Sequence, residues 1–523
     1  MSTQVDGSNP TQAGDSHVVR ARHVKCDEAR PVCSRCVTAG RVCSGINYGT
    51  TSVHHRPAWS VASGSASGPG PGPGSDMALA EQSADRRESV VKMVERHSGS
   101  MQMLRGRGNM ALTRDLLPQG WHFSEACQYF NEVMLTRRIA KQIVPSDFHY
   151  PVGNTRQKFS PPPDHQHTVI MVALAHRISF IFHAEERGTT QLSQHRATAH
   201  LRTCFYRHMG EAIRALNHHL VDINLPGVVW GLRKIANIVS AELYMVSTSW
   251  RHHVEGFLAL VKHGGGIGKI LDHFPPIRLA VYYMIIIANV ANTTSPSHHL
   301  GMGSIYPGKE ATRHLYSTTL YPSFPCATSL FMDMMRITEL RDPRHGPSRD
   351  VRRSVVEIFR SIDEFVPDAW AEAYEIPRTA DINIIARMFK ASVALYGVLA
   401  LGKVQECWID AAHYFPSLTN AGKMSHGPLR RALSGHLLGV LEEAARTLSN
   451  QESLSWPLTV LGVDIADGSA EDKEFVKKAL LDVGMDPNAD AGPMDSRGRL
   501  LEFWDAGGTQ WDECFNRPTL VLA

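Results

Sequence analysis

From Trp121 to the C-terminus, apolar residues recur mostly three to five positions apart, and the two-residue alternation of half-buried strands is scarce. Segment 123–143 sets Phe123, Cys127, Phe130, Met134 and Ile139 along one side of a helix, with Ser124 as its predicted N-cap. Segment 167–186 is apolar nearly all round, as a helix at the centre of a core should be. Further amphipathic runs predict helices over 196–219, 228–248, 351–365, 382–401 and 429–448. Pro226-Gly227, Pro275-Pro276 and Gly346-Pro347 punctuate the gaps between these patterns. The most apolar run, 279–291, is too short to cross a bilayer and contains Asn289, so it reads as a fully buried helix. No fixed-period repeat is evident, which argues against a regular solenoid. The pattern predicts a mainly α protein, with an all-α domain of roughly a dozen helices over 119–523.

Before residue 119 the character changes. Residues 60–75 are a Gly/Pro/Ser tract that cannot bury enough surface to order itself. Residues 46–118 therefore read as a disordered linker, and 1–15 as a disordered start. Within the linker the charged stretch 86–97 is under two heptads long, too short for a coiled coil that is stable alone. The hydrophobic content of 43% over 523 residues is ample for a large core, and the net charge of +3 is small. Global charge thus gives no sign of a polyanion partner; any such sign must be local.

The first sixteen residues carry no apolar core of a signal peptide, and no run is expected to enter a membrane. Cys127, Cys204, Cys326, Cys407 and Cys514 are scattered and odd in number, unlike a secreted disulfide framework. A soluble intracellular protein with buried free thiols is expected, in which the sequon at Asn292-Thr293-Thr294 has no weight.

The local sign is Cys26, Cys33, Cys36 and Cys43, spaced C-x6-C-x2-C-x6-C inside the basic segment 20–45. Closed tetrahedral thiolate sets hold structural zinc, and a segment this short needs metal to supply the free energy of folding. Arg20, Arg22, Lys25, Arg30, Arg35 and Arg41 outweigh Asp27 and Glu28, a compact cationic surface suited to DNA phosphates. Zinc ribbons and redox thiol pairs also use C-x2-C, but the paired x6 spacings, Pro31 and Gly40 fit them less well.

The spacing resembles the last four cysteines of the fungal Zn(2)-Cys(6) binuclear cluster, a DNA-binding module with two C-x2-C-x6-C halves. Its first two cysteines would fall at positions 16 and 19, where this chain has Ser16 and Val19. Neither replaces a thiolate. The partial module, 16–45, is then expected to hold at most one zinc through Cys26, Cys33, Cys36 and Cys43, with His17 and His23 nearby. Because the resemblance resumes abruptly at Arg20 and stays intact afterwards, a different first exon with the ligands encoded upstream is the favoured explanation. The other is a decayed cluster that no longer binds DNA. By position in the family's first short helix, Arg22 and His23 would read bases, while Arg20 and Lys25 would grip phosphates.

The helical part also resembles a family, the large regulatory domain found behind many fungal zinc clusters. Its landmarks here are Tyr129-Phe130, Trp250-x2-His253-x2-Gly256, His263-Gly264-Gly265-Gly266, Ser455-Trp456-Pro457-Leu458-x3-Gly462, and Trp504 and Trp511 in the last helix. The two resemblances imply a nuclear transcription regulator. DNA would be its partner, with a homodimer, a small-molecule effector or a co-regulator as further ones.

Catalytic readings fail. His263-Gly264-Gly265-Gly266 looks like an esterase oxyanion strip, but no G-x-S-x-G elbow accompanies it. Residues 264–269 mimic a phosphate loop but have His263 and Ile270 where Gly and a hydroxyl residue are required. Helix termination by glycine explains the run. The 27 histidines form no H-E-x2-H pair, so no active site is expected.

Overall fold

The long apolar patterns become helices, and their ends follow local chemistry. The computed structural model describes residues 123–136, 163–185, 198–221, 224–245, 249–300, 309–317, 320–346, 348–374, 379–402, 426–486 and 489–522. All lie in the second of two compact units into which the chain divides, Ser89–Ala523. The cysteine segment, the Gly/Pro tract, the charged stretch 86–97 and Cys407 lie outside the described residues.

The first group of helices comprises α1 (Phe123–Tyr129), α2 (Pro163–Glu185), α3 (Ala199–His219), α4 (Leu225–Tyr244), α5 (Trp250–His263), α6 (Ile267–His273) and α7 (Arg278–Thr293). Here α2 packs on α1, α3 and α4, α5 packs on α4, and α7 lies against both α4 and α5. The second group is α8 (Lys309–Ser317), α9 (Thr328–Leu340), α10 (Arg349–Glu364), α11 (Pro367–Glu372), α12 (Thr379–Ala400) and α13 (His426–Thr447). It is built around α12, which touches α9, α10, α11 and α13, and it meets the first group where α7 packs on α9. The chain closes with α14 (Ser455–Asp464), α15 (Ala470–Gly484), α16 (Gly492–Asp505) and α17 (Trp511–Cys514). All ten residues of α14 are buried, between α12 on one side and α15 and α16 on the other. At Gly462 an added Cβ would lie 2.4 Å from the Leu500 side chain, so a larger residue there would force Leu500 of α16 to shift.

Seventeen α-helices stand among the described residues, with no strand and one isolated bridge between Tyr321 and Phe324. The excess over roughly a dozen comes from one- and two-turn helices such as α6, α11 and α17, too short to show a helical period. In α10 the period is plain. Val351, Val355, Ile358, Phe359 and Ile362 are buried along one face, and Ser348 caps the start by accepting from the Val351 N–H at 3.2 Å.

Three expectations need correction. Ser124 lies inside α1 rather than capping it, and the segment continues as a π-helical turn over Phe130–Leu135. Pro226-Gly227 does not separate helices. It starts α4, where the Asn224 side chain accepts from the Gly227 N–H at 2.9 Å and Pro226 occupies the first turn. Trp504 and Trp511 sit in two successive helices, α16 and α17, not in one. The segment 380–400 is long and apolar enough to span a membrane, with mean hydropathy 1.4, but 78% of that window is buried in the core.

Candidate functional site

The residues that the sequence singles out for metal and DNA, Cys26, Cys33, Cys36, Cys43, Arg20, Arg22, His23 and Lys25, lie outside the described residues. Their donor chemistry can still be tested against zinc. Four thiolates complete one tetrahedral site, whereas a binuclear cluster shares six, and Ser16 and Val19 supply no soft ligand. The set present fits one zinc and does not fit two.

In the helical body, two of the tryptophan landmarks, Trp456 and Trp511, converge on a polar junction that sequence reasoning missed. It forms at the C-terminal end of α7, where Asn292, Thr293, Thr294 and Ser295 are fully buried. Arg341, just past α9, reaches into this end. Its guanidinium donates to the carbonyls of Asn292, Thr293 and Ser295 at 3.2, 2.8 and 2.8 Å, and to Asp512 on α17 at 2.6 Å. Burial works against the charge of Arg341, but Tyr396 and Asp512 beside it hold its pKa above the ordinary value. The Trp456 indole donates to the Thr293 hydroxyl at 3.0 Å and the Trp511 indole to the Thr293 carbonyl at 2.7 Å. Thr519 closes the junction by donating its N–H to the Thr294 carbonyl at 3.0 Å.

Four separate stretches of chain are thereby tied to one helix end, and carbonyls orphaned by helix termination find donors. The sequon Asn292-Thr293-Thr294 is this junction. A run of Asn, Thr and Ser closing an apolar helix is the signal that could have found it.

The junction contains donors and acceptors but no activated nucleophile. Buried free thiols are found at Cys127, Cys204, Cys326 and Cys514. Burial pushes the Cys326 thiol well above its usual value and Cys514 up to about 12, so both are chemically inert. The glycines after His263 form a helix cap. The Gly266 N–H donates to the Val261 carbonyl at 2.9 Å and Gly265 to Lys262 at 3.1 Å, with φ of 89° at Gly265 and 96° at Gly266. That is a Schellman termination, in which no amide is left for an oxyanion.

Among the described residues, His253, His167 and His208 join helices to one another. His253 on α5 faces the buried Glu242 on α4 at 3.5 Å. His167 and His208 join α2 to α3 through a 2.8 Å contact between their Nδ1 atoms. Burial first, then His167 and Arg207, push His208 down to about 4. Among the described residues no group of three or more His, Cys, Asp or Glu is placed to hold a metal.

Residues 20–49 match the fungal Zn(2)-Cys(6) binuclear cluster domain. The match takes in all four clustered cysteines and begins downstream of Ser16 and Val19. The chain is also similar to the phomenoic acid biosynthesis cluster-specific transcriptional regulator of Leptosphaeria maculans. The two are 23% identical over 510 residues, which cover 95% of this chain and 86% of that protein. No solved structure matches the chain. The chain thus joins a segment of the fungal Zn(2)-Cys(6) cluster domain, a zinc-binding module, to a mainly α-helical body, and along nearly all its length it is similar to a fungal transcriptional regulator.

Proposed function

We propose that this protein is a nuclear, sequence-specific, DNA-binding regulator of RNA polymerase II transcription in a fungus, and that its DNA binding depends on zinc. The observation that carries the reading is the zinc-cluster match over residues 20–49, with its C-x6-C-x2-C-x6-C thiolates in a basic segment. Residues 16–45 form the partial module and 46–118 the linker, and 119–523 form the helical regulatory domain. Cys26, Cys33, Cys36 and Cys43 hold zinc, Arg22 and His23 face base edges, and Arg20 and Lys25 hold phosphates. A second subunit and a small effector or co-regulator are the further partners, and no catalytic activity is assigned.

Selection of DNA sites from a random library tests this, using the chain as it stands beside one carrying Ser16→Cys and Val19→Cys. The restored chain should enrich a GC-rich half-site in a zinc-dependent manner. No enrichment by either chain would sink the reading. Ser16 and Val19 favour a second reading, in which the protein has lost DNA binding and acts through protein contacts. Metal analysis bears on it. The unrestored chain should carry at most about one zinc, because four thiolates complete one site. Two tightly held ions would overturn the ligand count.

A further inference from the structure

Between the end of α16 and α17 lies a cleft of about 320 Å³, lined by Arg499, Glu502, Phe503, Gly508, Glu513 and Asn516, among others. Arg499 is its buried base, with a side chain only 6% exposed. The guanidinium donates through Nη1 to Glu502 at 3.0 Å, through Nη2 to Asn516 at 3.0 Å, and through Nε to Thr519 at 3.4 Å. A guanidinium has five N–H groups, so these bonds leave two on the terminal nitrogens. The rim is acidic. Glu502 engages Arg499 through one oxygen, and Glu513 accepts from the Thr509 and Gln510 N–H groups through one oxygen, which leaves a second oxygen on each. One wall is closely packed. A Cβ added at Gly508 would lie 2.2 Å from the Phe503 ring, so the backbone of the loop after α16 packs closely on that side chain. The Cys514 thiol in the lining is held protonated by burial and contributes bulk rather than reactivity.

One cation at the base and two carboxylates at the rim select against a simple anion, which would meet net negative charge, and against a plain apolar molecule. We propose that this cleft binds a free α-amino acid. The ligand carboxylate takes the two remaining N–H groups of Arg499, and its ammonium sits between Glu502 and Glu513. Because the lining carries one more carboxylate than cation, a basic side chain at the rim completes the neutralisation and an acidic one opposes it. The proposal rests on the reading of this protein as a regulator answering to a small molecule, and it names the site and class of that molecule.

Isothermal titration of the full chain tests it, with L-lysine, L-alanine, L-glutamate, N-acetyl-L-lysine and L-lysinamide as probes. L-Lysine should bind with Kd below about 1 mM, alanine more weakly and glutamate more weakly still, and blocking either the amine or the carboxylate should weaken binding at least about tenfold. Ala506→Trp, at an exposed position lining the cleft, should abolish binding while thermal unfolding stays unchanged. If that variant unfolds early, Glu502→Gln on the exposed rim replaces it and should erase the preference for lysine over alanine. No binding up to about 10 mM, blocked probes binding as well as free ones, or both variants binding like wild type would each overturn the proposal. The same preparations, with cysteines restored at 16 and 19, are assayed for DNA. DNA binding without amino-acid binding removes the cleft proposal alone, and the converse removes the DNA reading alone.

Discussion

Asp333 shows how burial sets the behaviour of one residue. It lies on α9 with its carboxylate facing α10, accepts from Ser361 at 2.6 Å, and has Arg336 at 3.4 Å. Burial raises its pKa to about 6, against the opposing pull of Ser361 and Arg336. A carboxyl whose folded pKa is raised gives stability that is complete below its unfolded value near 3.8 and is lost as pH rises through about 6. Asp333→Asn should therefore flatten the fall in stability between about pH 4 and 6, and at pH 8 it should be neutral or stabilising by up to about 2–3 kcal/mol. Urea unfolding at a series of pH values measures this, and a strong destabilisation at pH 8 would show that Asp333 is tied by its charge. On the proposed DNA-binding reading, the roles of Arg22 and Lys25 divide differently. In a chain with cysteines at 16 and 19, Arg22→Ala should cost about 1–3 kcal/mol and relax preference at one guanine. Lys25→Ala should weaken all sequences alike and lower the salt dependence of binding. Competition binding over several salt concentrations separates the two roles.

At the scale of elements, the chain shows where sequence reading succeeds and where it stops. Long helices such as α2, α10, α12 and α13 were legible because buried positions repeat over several turns, and their ends fall within a few residues of expectation. The π-helical turn after Tyr129 was not legible, because it changes hydrogen-bond register without changing composition. Nor was the junction at Thr293, since its partners Arg341, Trp456, Trp511 and Thr519 are distant in sequence. The glycine run after His263 was legible in kind, and its last glycine, Gly266, carries a specific prediction when set beside Gly268 just beyond the run. Gly266 has φ 96° and ψ 169°, a region open essentially to glycine alone, so Gly266→Ala should cost about 1–3 kcal/mol. Gly268, two positions on and inside α6, has open space around its Cβ position, and Gly268→Ala should be neutral or stabilising by up to about 1 kcal/mol. Thermal unfolding of the two variants side by side checks the pair. Equal effects would mean that helix propensity, not the cap, governs this turn.

For the whole molecule, the question is how far the metal module and the helical body depend on one another for stability. The hydrophobic core of the described residues runs from Ala126 to Leu522 and draws on every long helix, so its residues belong to the body itself. The polar junction closes within the same span, joining the ends of α7 and α9 to α17 and Thr519. A domain with its own apolar core can fold without help from outside it, whereas a cysteine module of some thirty residues cannot. Stripping zinc from the full chain with a strong chelator should therefore abolish DNA binding by the cysteine-restored protein, yet leave most helical circular dichroism and the main thermal transition in place. The chain as it stands, with fewer ligands to lose, should show the same melt before and after chelation. Loss of most of the helical signal on removing the metal would mean that zinc holds the helical body as well, and that the two parts unfold as one cooperative unit.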